Sequence, residues 1–214
     1  MIAIHQNKIK VVQKTFKLEI ENQRDKAISR LNRLNLKTPA GNDKIYLQNV
    51  INLFNNNIDI LNWDLTKLSI RRNSLGAVPF ITVTKNGISK QVKSEIKNKI
   101  LTALGYKDLR SSFYPKYFKD IGIKSCVYCN SQLTISAVKN FQNQYSAKFD
   151  VDHYYSKDEY PFLSICLYNL YPACASCNRL KGTNAVEFEL YSDDSIKTLK
   201  SNYKFKLDLY AKAK

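Results

Sequence analysis

The sequence predicts an α+β chain, a mainly helical region followed by a strand-and-turn module, and three observations predict it. Apolar residues recur at helical spacing through most of the first hundred positions. The character changes at Cys126, after which short β-type runs alternate with polar turns as far as about Gly182. Four of the five cysteines fall into two C-x-x-C pairs, CVYC (126–129) and CASC (174–177), that bracket this second part. The expected division is a basic, mainly helical region over 1–120 and a cysteine-framed module over 121–214, with its core at 126–182 and a short C-terminal β extension.

Taken in order, Phe16, Ile20, Ala27, Leu31 and Leu34 mark a first helix, which the Thr-Pro-Ala-Gly-Asn run at 38–42 ends. Leu47, Val50, Ile51, Phe54, Ile58 and Leu61 then lie on one face of a helix expected from about 43 to 70. Residues 74–87 are expected to be a loop with a short strand. Ser89 is placed as the cap of a helix carrying Val92, Ile96, Ile100 and Leu104, with Gly105 as its stop. After an aromatic segment, SSFYPKYFKDIGI, the runs at 133–140 and 145–155 have strand composition, separated by a polar turn around 140–144. Tyr203, Phe205, Leu207 and Leu209 share one side of a strand expected in the tail.

Composition narrows the function classes. With 214 residues and 44% hydrophobic content, the chain is long enough to bury its own core. It has no apolar run of bilayer length, and MIAIHQNKIKVVQK lacks the apolar core and small-residue site of a signal peptide. The expectation is a cytoplasmic protein with no membrane partner, in which cysteines are reduced or metal-bound rather than bridged. The net charge is +16 and it is unevenly placed. Residues 1–120 hold 22 Lys/Arg against 9 Asp/Glu, whereas residues 121–214 hold 12 against 9. A basic body that grips a polyanion, beside a nearly neutral module that acts on it, fits that distribution, and nucleic acid is the expected polyanion.

Each C-x-x-C places two sulfurs on one tight turn, and two such turns can complete a tetrahedron around Zn²⁺. Cys126, Cys129, Cys174 and Cys177 are therefore expected to hold a structural zinc with no open coordination position. The 44 residues between the pairs exceed a simple zinc ribbon, so something is inserted between the knuckles. That insert contains Asp152 and His153, and His153 is one of only two histidines in the chain. Cys166, in the apolar run FLSICLYNL, is expected in the core.

Read together, CVYCN, FDVDHYY, YNL and CASCNRLKG resemble the HNH endonuclease family, whose catalytic unit is the ββα-metal fold. The order is Asp152-His153, then Asn169-Leu170, then Asn178 directly after the second cysteine pair. The likeness covers about residues 126–182, and nothing in 1–120 takes part in it. Asn178 stands where many members have histidine, giving an H-N-N variant like that of the HNH domain of CRISPR effector nucleases. The resemblance implies hydrolysis of DNA phosphodiesters to 5′-phosphate and 3′-hydroxyl ends, with Asn169 bracing the loop that holds His153. It also implies a possible protein partner, since such proteins occur beside ATPases in antiphage defence and in restriction.

The chemistry of the residues agrees. Neutral His153 can take a proton from water. Asp150 and Asp152 beside it would favour imidazolium, which a divalent cation would oppose. Asp152 and Asn178 offer a carboxylate and an amide oxygen, suited to Mg²⁺ or Mn²⁺, with Asp150 or Glu159 as alternative ligands. Arg179 and Lys181 follow on the same helix, where they hold flanking phosphates or are solvated surface charge. The alternative functions are a non-catalytic zinc-stapled nucleic-acid-binding protein, or a nuclease subunit active only in a complex with a partner such as an ATPase.

Overall fold

The computed structural model describes residues 3–138, 145–184 and 188–194. Helices α1 (Gln6–Thr15), α2 (Lys17–Lys37), α3 (Asn42–Asn56) and α4 (Leu65–Leu75) come first, followed by strands β2 (Phe80–Lys85) and β3 (Ile88–Lys93). Helices α5 (Ile96–Ala103), α6 (Tyr106–Ser111) and α7 (Phe113–Ile121) lead into β4 (Ser136–Val138), β5 (Tyr145–Ala147), β6 (Asp150–His153) and β7 (Leu170–Ala173). Helix α8 (Ala175–Lys181) follows β7, and β8 (Tyr191–Ser192) pairs in parallel with β1 (Ile4–His5). The fold is mixed α and β, as the sequence predicts. Among the described residues its sheets are all two-stranded, and no described helix is long and apolar enough to cross a membrane.

The first helical stripe is buried at Phe16, Ile20, Ala27 and Leu31. Thr38 ends α2 in an extended conformation, as the residue before Pro39 must. The helix expected over 43–70 is instead two. The Asn57 amide donates to the Leu53 carbonyl at 2.7 Å and closes α3, while the Asp64 carboxylate accepts from the Lys67 N–H at 2.9 Å and starts α4. Between them Trp63, only 2% exposed, donates its indole N–H to Asp59, and Ile58 is turned out to solvent. The chain corners on a buried indole, which periodicity does not detect.

Ser89 does not cap a helix. Residues 80–93 form the antiparallel β2–β3 hairpin, with Asn86 and Gly87 both at positive φ (51° and 77°) in its two-residue turn. Helix α5 starts only at Ile96, whose N–H donates to Ser94 Oγ, and Gly105 follows it at φ 70° as expected. The aromatic segment folds into α7 and buries Tyr114, Tyr117, Phe118 and Ile121. One buried cluster draws residues from α1 through β8, so the helices supply the wall against which the second half packs. The strand expected at 203–209 lies outside the described residues.

Candidate active site and metal centre

Strands β6 and β7 pair in antiparallel register, Asp152 opposite Tyr171 and His153 opposite Leu170, and α8 then packs back on β6. Alternation along β6 sends Asp150 and Asp152 toward α8, while His153 meets α6, where the Tyr106 ring lies 5.1 Å from the imidazole. The Tyr106 hydroxyl donates to the Val151 carbonyl at 3.3 Å, which ties α6 to the strand.

His153 is 3% exposed, and its Nε2 lies 3.1 Å from the Ser164 carbonyl oxygen. A carbonyl only accepts, so Nε2 holds the proton and Nδ1 keeps its lone pair. Burial, reinforced by Lys157, Lys181 and Arg110, pushes the imidazole pKa down to about 3 against the opposing pull of the Ser164 carbonyl. The sequence suggests that the adjacent carboxylates favour imidazolium. In the structure both carboxylates are already paired, and burial pushes the ring toward its neutral form without further help.

Those pairs define the site. Lys181 Nζ lies 3.2 Å from Asp152 Oδ1 and from Oδ2, and 2.9 Å from the His153 carbonyl. The Tyr128 hydroxyl also donates to Asp152; burial and then that carboxylate push the phenol pKa up. Lys181 is thus turned inward onto Asp152 rather than toward a phosphate track. Asn178 donates its amide to Asp150 at 3.0 Å, and Arg110 pairs with the same carboxylate at 3.5 Å. The amide oxygen of Asn178 has no protein partner among the described residues. Glu159 pairs with Lys93 at 3.2 Å and takes no part in the cleft.

Asn169 is fully buried and uses both ends of its amide. Its oxygen accepts from the Tyr155 N–H at 2.7 Å, and its nitrogen donates to the carbonyls of Tyr155 (3.2 Å) and Leu163 (3.0 Å). The 16-residue connection from β6 to β7 is pinned by this one side chain. Cys166, in the same connection, is buried in the core, and burial pushes its thiol pKa up.

The sulfurs of Cys126, Cys129, Cys174 and Cys177 all lie within 4.8 Å of one another. A tetrahedral site with metal–sulfur bonds of about 2.3 Å needs sulfurs roughly 3.8 Å apart, so small side-chain adjustments close it. The Ser131 and Gln132 backbone N–H groups lower the Cys129 pKa to about 6, and the Cys177 N–H points at Cys174 Sγ at 3.5 Å. Four thiols with knuckle N–H donors and no oxygen ligand fit Zn²⁺. The four cysteines are positioned to bind such an ion.

Asp152, His153, Asn178, Arg179 and Lys181 line one cleft of about 280 Å³, whose far wall includes Arg110 and Lys157. Asn169 lies behind it. Sequence reasoning missed Tyr128, Arg110, Tyr106 and Lys157. Tyr128 sits inside the CVYC knuckle, so its position was marked even though its partner was not. Nothing in the sequence distinguishes Arg110 from the other basic residues of the first 120.

No protein-family model matches the chain, and no solved structure does. Among curated proteins it is similar to the Septu protein PtuB of Bacillus thuringiensis, 28% identical over 123 residues. The match covers 56% of this chain and 43% of that protein, so the chain spans less than half of the relative's length.

Proposed function

We propose that this protein is a metal-dependent endonuclease of the HNH type, acting on DNA phosphodiesters. The observation that carries the reading is the placement of His153. It is a buried imidazole whose protonated Nε2 is held by the Ser164 carbonyl, at the wall of a cleft shared with Asp152 and Asn178. Its Nδ1 is the base that takes a proton from the attacking water. The hairpin β6–β7 followed by α8 is the arrangement the ββα-metal resemblance calls for.

Asp152 and the unpartnered amide oxygen of Asn178 would hold a divalent cation, and these hard oxygen donors suit Mg²⁺ or Mn²⁺. When bound, the ion supplies charge neutralisation at the phosphate. Asn169 keeps the loop behind the imidazole in place, Arg110 and Lys157 offer positive charge across the cleft, and Arg179 stands at its edge. Zinc held by the four cysteines would staple the two knuckles and so help to position Tyr128 against Asp152. The region 1–120 binds substrate or a partner. Similarity to the Septu protein PtuB favours a role in antiphage defence, and the HNH resemblance adds a second protein component such as an ATPase.

The test is cleavage of supercoiled plasmid with and without added Mg²⁺ or Mn²⁺, with zinc-loaded His153→Ala alongside. The expected result is metal-dependent nicking or linearisation that disappears in the variant. DNA binding by both proteins, with cutting by neither on duplex, single-stranded DNA or RNA, would leave the non-catalytic binding reading.

A further inference from the structure

A second groove adjoins the cleft through shared lining residues, and a third adjoins the second through one shared residue. Arg110 and Val151 line both the cleft and a groove of about 480 Å³ beneath α6 and β5. Asp108 lines that groove and also a third, about 660 Å³, between α2 and α5. Beyond the cleft, the walls carry Lys107, Arg110, Arg30, Arg33, Lys37 and Lys99 against the single carboxylate Asp108.

Four of these six, Arg33, Lys37, Lys99 and Lys107, are exposed and make no ion pair among the described residues. The two that do are weakly held, Arg30 at 4.0 Å from Asp108 and Arg110 at 3.5 Å from Asp150. On α2 the spacing 30, 33, 37 puts three cations on one helical face. They climb about 10 Å, the length of roughly three nucleotides at 3.4 Å each. The α2–α5 groove has no aromatic lining. The two half-buried rings of the α6–β5 groove are already engaged, Tyr145 under Lys119 Nζ at 4.6 Å and Phe149 edge-on against Phe118, so little ring face is left on which bases could stack.

We infer that these joined grooves are the track of a nucleic-acid backbone, running from the cleft over α6 into the α2–α5 groove and held through phosphates rather than bases. The placement of its active end rests on the nuclease reading above; the track itself does not. Recognition of this kind is insensitive to sequence and steeply sensitive to salt.

The experiment compares two quadruple variants of the full chain with equal loss of charge. One carries Arg33→Gln, Lys37→Gln, Lys99→Gln and Lys107→Gln. The other carries Lys10→Gln, Lys14→Gln, Lys85→Gln and Lys90→Gln, exposed cations that line none of the three grooves. Binding of labelled duplex and single-stranded DNA is measured by anisotropy across salt, without added Mg²⁺. The track variant is expected to bind at least about tenfold more weakly near 0.1 M salt, with a salt slope shallower by up to about 3.6. The control variant is expected to bind within about threefold of wild type. Equal weakening in both variants, no weakening in the track variant, or no DNA binding by wild type would overturn the track; the last outcome turns attention to an acidic protein on this face. Plasmid cleavage separates the two readings. If wild type cuts and the track variant keeps its KM, the track fails and the nuclease stands. If wild type binds along the track and never cuts, the nuclease fails and the track stands.

Discussion

The ammonium of Lys181 sits 3.2 Å from both carboxylate oxygens of Asp152, with side chains only 10% and 6% exposed. A buried pair of this kind holds a charge that water no longer solvates, and deleting one partner strands the other. Lys181 therefore lies where a second cation at Asp152 must either share or displace it. Lys181→Met is expected to destabilise the protein by about 3–5 kcal/mol without added divalent metal. Mn²⁺ should then raise its melting temperature more than that of wild type, because binding at Asp152 restores the missing charge. Equal Mn²⁺ shifts in the two proteins would place the ion elsewhere.

The four cysteines differ widely in exposure, Cys126 being buried and Cys129 exposed. If they only packed, Cys129→Ser would be harmless. As ligands of one ion they would be equivalent, and elemental analysis is expected to find one zinc per chain in wild type and none in either Cys126→Ser or Cys129→Ser. Each should also remove several kcal/mol of stability, since metal binding energy is folding energy in such sites.

Asn169→Ala removes three hydrogen bonds at once and leaves the Tyr155 N–H and carbonyl without that partner, while the Leu163 carbonyl still accepts from the Cys166 N–H at 3.2 Å. Buried groups left unpaired cost about 1–3 kcal/mol each. Denaturant unfolding should show a loss of at least about 2 kcal/mol, whereas Asn169→Asp should recover part of it through the Tyr155 N–H alone.

The β2–β3 hairpin is exposed along nearly its whole length, including Phe80, Ile81, Val83 and Ile88. Its base is tied to the rim of the site, where Val78 N–H donates to the Glu159 carbonyl at 2.8 Å and Lys93 pairs with the Glu159 carboxylate. Replacing residues 81–92 with a short Gly-Ser turn should change stability by less than about 1 kcal/mol, because the segment buries so little. A larger loss in thermal unfolding would show that the hairpin supports the fold.

Tyr128→Phe takes one donor from Asp152 and leaves the aromatic ring in place beside Tyr171. The expected stability change is about 1 kcal/mol. In the proposed nuclease, kcat should fall while DNA affinity is retained; an unchanged kcat would make Tyr128 a packing residue only.

The sequence by itself determined the mixed α and β class, the two cysteine knuckles and the segment between them that carries Asp152 and His153. These rest on local spacing, which survives without knowledge of the fold. Glu159 as an alternative ligand, Ser89 as a helix cap and one helix over 43–70 all failed where a distant or buried partner intervened: Lys93, the Asn86-Gly87 turn, and Trp63 with Asp59. Tertiary structure alone decided that His153 is pushed toward its neutral form, because the fold buries the ring and pairs the two adjacent carboxylates with Lys181, Arg110 and Asn178. It alone brought Arg110 and Tyr106, 40 and 47 residues upstream of their partners Asp150 and His153, against β6. Charge and desolvation act through space, and the chain records only the order in which their sources are strung.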